Sequence, residues 1–244
     1  MDVSLNGQTG EIRRVIVNVA CNQMHYIMEQ QRLLNSLIKV GNRSEYLFWQ
    51  GTEFLSGRLG ACPAHADNPY AFKIYAIEKA LELGYNHILW LDASVFAIKE
   101  TEAIWNIINE QGYLMQNARY IIGNWTNDAA LKYFNVSREQ AMGMIMYGNA
   151  GLLGLNMFNG IAQEFYKRWS QSMLDGMFRG AWKNENQSES ADSNCLGHRH
   201  DMSCGSIIAN QLEMVYQPAH EILEYAPPIQ LPINDKIIFK AQGM

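Results

Sequence analysis

The chain has 244 residues, 48% of them hydrophobic and 18% charged, with a formal net charge of −5. A chain of this length buries enough surface to fold without disulfide or metal staples, and the composition excludes extensive disorder. The acidic balance argues against a general nucleic-acid coat or a polybasic membrane binder. Cys21, Cys62, Cys195 and Cys204 are widely spaced, form no CxxC pair, and read as reduced, mostly buried thiols. The first residues hold no apolar targeting segment, and no stretch approaches the roughly 18 apolar residues of a membrane span, so a cytoplasmic protein is expected.

In chain order, residues 1–12 read as a flexible polar arm and 13–244 as a single domain. RRVIVNVAC (13–21) is a short β-branched run and predicts a buried strand. Ile27, Leu34, Leu37 and Ile38 recur at helical spacing, with Gly41 as the stop. YLFWQ (46–50) predicts a second strand, and 51–69 an irregular loop. Pro69 opens a helix that runs to Gly84, followed by a strand over 85–91. Further helices are expected over 100–111 and 127–142, with a short strand over 120–123 between them. Two strand pieces surround Gly148-Asn-Ala-Gly151, and an amphipathic helix spans roughly 158–177. Residues 179–200 form the longest segment without periodicity, the kind of loop that often serves as a lid or binding loop. A helix then opens near Asp201, and the proline-containing tail, 218–244, is expected to run extended along the surface.

Strands alternating with helices imply an α/β domain with a mostly parallel central sheet flanked by helices. Such sheets bind ligands outside the carboxyl ends of their strands. Asp92-Ala-Ser94 lies at one such end, where a rigid strand holds a carboxylate ready for a ribose hydroxyl or a divalent cation. The plainer alternative is a local turn.

The segment NPYAFKIYAIEKALELGYNHILWLDAS (68–94) resembles the core of the GT-A-fold glycosyltransferases, in which a helix with a basic residue near its start precedes a strand ending in a DxD motif. GNAGLLGLN (148–156) and HRHDMSCGSIIANQL (198–212) resemble two later segments of that family, in the same order. The resemblance covers roughly 70–212 and implies a GT-A-like domain. Residues 13–123 would be its nucleotide-sugar-binding half and 124–217 its acceptor-binding half. It implies that Asn18, Cys21, Lys73, Asp92 and Ser94 face the donor, and that Asn149, Ala150 and Gly151 border the sugar. Ser94 stands where the family carries its second aspartate, the principal metal ligand, which weakens the expectation of a Mn²⁺ or Mg²⁺ requirement.

His198-Arg199-His200-Asp201 is the second constellation. A solvated loop is its plain reading. Functionally, Asp201 is a candidate general base, Arg199 a group for the departing phosphate, and His198 or His200, with Asp92, candidate metal ligands. Trp182 sits in a polar loop with little core to join and is a candidate acceptor platform, against simple loop anchoring.

The sequence therefore points to a glycosyltransferase that moves a sugar from a nucleotide diphosphate sugar, of the UDP class, to a hydroxyl acceptor by inverting displacement. The acceptor is left open among a glycan, a lipid-linked sugar, a protein and a modified nucleobase. The alternative is a non-catalytic nucleotide-sugar- or glycan-binding protein on the same fold. A nucleotidyltransferase is disfavoured, because the loop after the first strand, ACNQMHY, has no glycine, lysine or arginine to cradle phosphates.

Overall fold

The computed structural model describes residues 10–242 except 22, 53–54, 58–59, 148–150 and 226–235. In chain order it forms β1 (Arg14–Ala20), α1 (Met24–Lys39), β2 (Glu45–Gln50), β3 (Ser56–Gly57), β4 (Gly60–Ala61), α2 (Ala71–Glu82), β5 (His87–Leu91), β6 (Val95–Ala97) and α3 (Glu102–Gln111). There follow β7 (Tyr113–Leu114), β8 (Asn117–Ile121), α4 (Asp128–Tyr133), α5 (Arg138–Met142), β9 (Ile145–Tyr147), β10 (Leu152–Asn156) and α6 (Gly160–Leu174). The last elements are α7 (His200–Gln211), β11 (Leu223–Tyr225) and β12 (Phe239–Ala241).

The central sheet has the order β2-β1-β5-β10-β7. β1 pairs in parallel with β2 on one side and β5 on the other, so the chain switches direction across the sheet at β1. That reversal opens a crevice at the carboxyl ends of β1 and β5. β10 runs antiparallel to both β5 and β7, which makes the sheet mixed rather than mostly parallel. The reason is local. The chain enters β10 beside the carboxyl end of β5, where Asp92 N donates to Gly151 O at 3.0 Å, and runs back from there. Hydrophobic pattern reports that β10 is buried on both faces, but carries no information on its direction.

Helices cover both faces. Ile74, Ile77, Phe165, Trp169 and Ile207, from α2, α6 and α7, fill the core on one side. Leu33, Leu37, Ile104 and Trp105, from α1 and α3, pack against the other. Gly41 and Gly84 end α1 and α2 in the left-handed region, at φ 75° and 85°.

Three local expectations change. The helix expected over 127–142 is broken into α4 and α5, because Asn135 takes a left-handed φ of 53° and Ser137 starts α5 with a capping box to Gln140. The strand expected at 120–123 starts earlier, as β8, and gives way to a 3-10 turn over Ile122–Asn124. The tail is not a surface strand. β11 and β12 pair with each other, and β12 joins β6 in a second sheet of order β11-β12-β6, with Leu223 and Phe239 fully buried. Gln116 splices this sheet to the body. Its side chain accepts from Ile222 N and Leu223 N at 2.9 Å and donates to Leu223 O at 2.8 Å.

α7 lies so deep that all of His200–Ala209 is buried, and its close approach to β9 depends on Gly205. A Cβ there would stand 2.5 Å from Tyr147 Oη and 2.7 Å from its ring. Tyr147 is 1% exposed and has nowhere to move. Gly205→Ala is therefore expected to destabilise the protein by about 1–3 kcal/mol despite alanine's better helix propensity. A thermal melt checks this: the midpoint should fall by roughly 2–4 °C per kcal/mol, and an unchanged or raised midpoint would refute the packing argument.

Candidate active site

Trp90 and Asp92, two residues apart, lie on the same side of the chain at the end of β5. The indole Nε1 donates to Asp92 Oδ1 at 2.7 Å and fixes the carboxylate's orientation. Lys73 reaches the same oxygen from α2, with Nζ at 3.3 Å. The same ammonium lies 3.0 Å from Asp201 Oδ2 on α7. One buried cation, 1% exposed, thus joins a half-buried carboxylate at the crevice to one that is 2% exposed. Tyr70 and Trp90 add aromatic faces, with ring centres 5.1 and 5.5 Å from Nζ.

Burial alone would lower the Lys73 pKa. Asp201 and then Asp92 more than reverse that, so the ammonium titrates above its ordinary range. Asp201 is pushed up by burial and held back by Lys73. With one positive and two negative charges, the cluster carries a net negative charge when all three are ionised.

The other residues expected to face a donor lie around this trio in different ways. Asn18 is fully buried, gives Nδ2 to Leu91 O at 2.6 Å and accepts from Gln30 Nε2 at 2.7 Å. Its amide is spent bracing β1, β5 and α1, so it supports the crevice floor from behind. Cys21, half-buried, follows β1 at the mouth. Ser94 is anchored through its carbonyl, which accepts from Arg32 Nη2 at 2.9 Å and Gln242 N at 3.0 Å. Gly151 lies against Asp92, while Asn149 and Ala150 fall outside the described residues.

The His-Arg-His-Asp segment does not act as one cluster. His200 has a left-handed φ of 52°, and successive side chains leave in different directions. His198 is fully buried; its Nδ1 accepts from Asn127 N at 3.3 Å and its Nε2 donates to Met177 O at 3.0 Å. Those partners fix a neutral Nε2–H tautomer with no nitrogen left for a metal. His200 gives Nδ1 to Phe178 O at 2.8 Å and stacks between Trp182 and Tyr70, at ring distances of 5.9 and 5.5 Å. Arg199 stacks on Trp125 and Trp182. Only Asp201 turns inward to Lys73.

The sequence resemblance implies a divalent cation, and the described side chains here do not fit one. Among the described residues no group of three His, Cys, Asp or Glu converges on a point. Asp92 Oδ1 already serves Trp90 and Lys73, serine replaces the second aspartate, and the ammonium occupies the space between the carboxylates.

Two tyrosines escaped the sequence reading. Tyr70, held at φ 60° just before α2, lies over Lys73, and its pKa rises to about 12 through burial and then Asp201. Tyr26, in the first turn of α1, is raised by burial and then by Cys21, Glu29 and Asp92, which places it at the same mouth. For Tyr26 the available signal was its position soon after the end of β1; for Tyr70 it was its place at the start of the helix that carries Lys73.

His198 makes a pH prediction. Burial, followed by the charge of His200, lowers its pKa to about 3 from the ordinary 6.5. The unfolded chain takes up the proton near pH 6.5 and the folded one resists it, so stability is full above that pH and falls as pH drops from 6.5 toward 3. The slope is up to about 1.4 kcal/mol per pH unit from this group alone. Denaturant titrations at pH 7.5, 6 and 5 check it. His198→Gln is expected to lower stability at pH 7.5 and to flatten the acid slope, and a wild-type slope of zero would refute the assignment.

No protein-family model and no curated protein matches this sequence. Solved structures match the fold. The bifunctional glycosyltransferase WbbM, in its apo form, superposes with a TM-score of 0.52 at 9% identity over 96% of this chain and 46% of its own, so this chain spans about half of that protein. A glycosyltransferase involved in the glycosylation of the major capsid of PBCV-1 superposes with a TM-score of 0.53 at 12% identity, covering 94% of this chain and 93% of that one. The likeness is one of fold: this chain is an α/β domain whose mixed central sheet, flanked by helices, has the fold of the GT-A glycosyltransferases.

Proposed function

We propose that the protein is a glycosyltransferase that takes a nucleotide diphosphate sugar, of the UDP class, and passes the sugar to a hydroxyl acceptor. The observation that carries this reading is the Asp92–Lys73–Asp201 bridge at the carboxyl ends of β1 and β5, in a fold of this type. Residues 13–123 form the donor half and 124–217 the acceptor half. Asp92 Oδ2, which has no protein partner among the described residues, accepts from a donor hydroxyl. Gly151 keeps that oxygen accessible: a Cβ there would stand 3.5 Å from it.

The reaction is a single displacement at the anomeric carbon. The acceptor oxygen forms a bond to that carbon as the bond to the diphosphate breaks, and the acceptor proton passes to Asp201. Burial raises the affinity of Asp201 for that proton, and Lys73 occupies only its Oδ2. As Asp201 is neutralised, the net negative charge of the trio is cancelled. Lys73 is then less compensated at the moment the leaving diphosphate gains charge, which favours departure. No metal ion enters this sequence of steps.

A second reading is supported by the 2% exposure of Asp201 and by Ser94: a protein that binds nucleotide sugar without transferring it. One set of measurements separates the two. Calorimetry with a panel of nucleotide sugars, with and without Mn²⁺, should show binding that Asp92→Asn weakens by about tenfold, or 1.4 kcal/mol. With the donor that binds, Asp201→Asn is expected to lower turnover roughly 10²–10⁴-fold, and product NMR should show inverted anomeric configuration. Retained configuration, or turnover within threefold of wild type, would remove Asp201 as the base. Binding without any transfer would establish the second reading.

A further inference from the structure

Arg199 has no place in the displacement just described, yet it is held with unusual care. Its guanidinium carbon lies 3.9 Å from the Trp125 ring centre and 3.6 Å from that of Trp182, with the Tyr120 ring at 5.9 Å. The two indoles cover the faces of the cation. Its edge is another matter. Nε is buried without a hydrogen-bond partner, and no ion pair or side-chain hydrogen bond joins the guanidinium to any described residue. An arginine usually spends its planar fork of donors on a carboxylate or phosphate. Here the fork is oriented and unspent.

The cage is pre-organised by its loop. Arg199 N donates to Trp125 O at 3.1 Å, His198 N to Ala181 O at 2.9 Å, and Leu196 N to Asn124 O at 2.7 Å. Asn184 Nδ2 ties to Ser190 O and Cys195 O, and Glu189 accepts from Ala181 N and Asn127 Nδ2. The long segment over 179–200 is thus fastened at several points while presenting Trp182, 46% exposed, beside Tyr120, 44% exposed. Trp182, with Arg199 against one face and His200 stacked near it, offers its exposed edge, and Tyr120 its exposed ring, to the C–H side of a sugar, and the fork beside them suits an anion. From Trp182 the stack continues through His200 to Tyr70, which overlies Lys73.

We propose that Arg199, Trp125, Trp182 and Tyr120 form an acceptor subsite for a sugar that carries an anionic group, a carboxylate or a phosphate ester. Calling this ligand the acceptor rests on the glycosyltransferase reading; the anionic-sugar site itself does not.

The test measures binding without transfer. Methyl glucuronide, glucose 6-phosphate and methyl glucoside are titrated into the full chain by calorimetry and tryptophan fluorescence, with UDP titrated separately. At least one charged sugar is expected to bind about tenfold or more tightly than the neutral glucoside, and which of the two is preferred identifies carboxylate or phosphate. Arg199→Met should abolish that preference and Arg199→Lys restore it in part, because lysine keeps the charge but loses the fork. Should Arg199→Met fail to fold, Trp182→Ala carries the test, with weaker binding of charged and neutral sugars alike. Equal affinity for charged and neutral sugars overturns the proposal. So does an Arg199→Met variant that loses UDP affinity rather than sugar affinity, which would place the arginine on the donor. Charged-sugar binding in a protein that ignores UDP and every nucleotide sugar would leave the subsite standing and remove the glycosyltransferase reading.

Discussion

The ammonium of Lys73 is the constraint around which the domain is arranged. An unpaired charge in a protein interior is costly, and one partner alone rarely compensates for its lost hydration. Lys73 has two, and they come from different parts of the chain: Asp92 ends β5 and Asp201 begins α7. For the cation to be satisfied, α2 must lie against the sheet, α7 must enter beneath it, and the two carboxylates must come to one point. Trp90 and Trp169 help by holding Asp92 Oδ1 and the Asp201 carbonyl. The packing of α2, α6 and α7 and the shape of the crevice follow from the same requirement.

Much of this frame was legible in the sequence, because hydrophobic period reports burial. The β1 and β5 runs and Asp92 at a strand end are visible as pattern. The α1 stripe is read less well: of Ile27, Leu34, Leu37 and Ile38 only Leu37 is buried, Ile38 is 60% exposed, and Leu33 takes the inward place. Strand direction is not, since an all-buried run such as β10 reads the same both ways. The burial of Lys73 had a signal that charge alone conceals. In α2, Ala71, Ile74, Tyr75, Ala76, Ile77 and Ala80 surround the axis, and a helix apolar on all sides is an interior helix whose charges are interior too. Glu78, on the same helix, is buried against the Tyr166 hydroxyl at 3.0 Å.

The His-Arg-His-Asp run shows where sequence proximity misleads. Four chemically rich residues in a row invite a single site. The backbone instead deals them to different tasks: a neutral histidine satisfied by main chain, a stacked cation, a ring in an aromatic ladder and a buried carboxylate. One left-handed residue, His200, suffices to separate them. The loop before them was legible as a long aperiodic segment, but its rigidity was not. That rigidity depends on Asn184 and Glu189 taking up main-chain groups in place of a regular ladder.

The pairing of β12 with β6 also sets an order of assembly. Val95 lies opposite Ala241, and Ser94 accepts from Gln242, so the segment directly behind Asp92 is braced by residues placed more than a hundred positions later. Contacts of such long sequence separation form late, because the intervening chain must first be closed into a loop. During synthesis, β1, α1, β2 and β5 can collapse into a sheet while the ground behind Asp92 is still open. The crevice would acquire its final walls only once the last strand docks, so a nascent chain carries the parts of the site well before it carries the site.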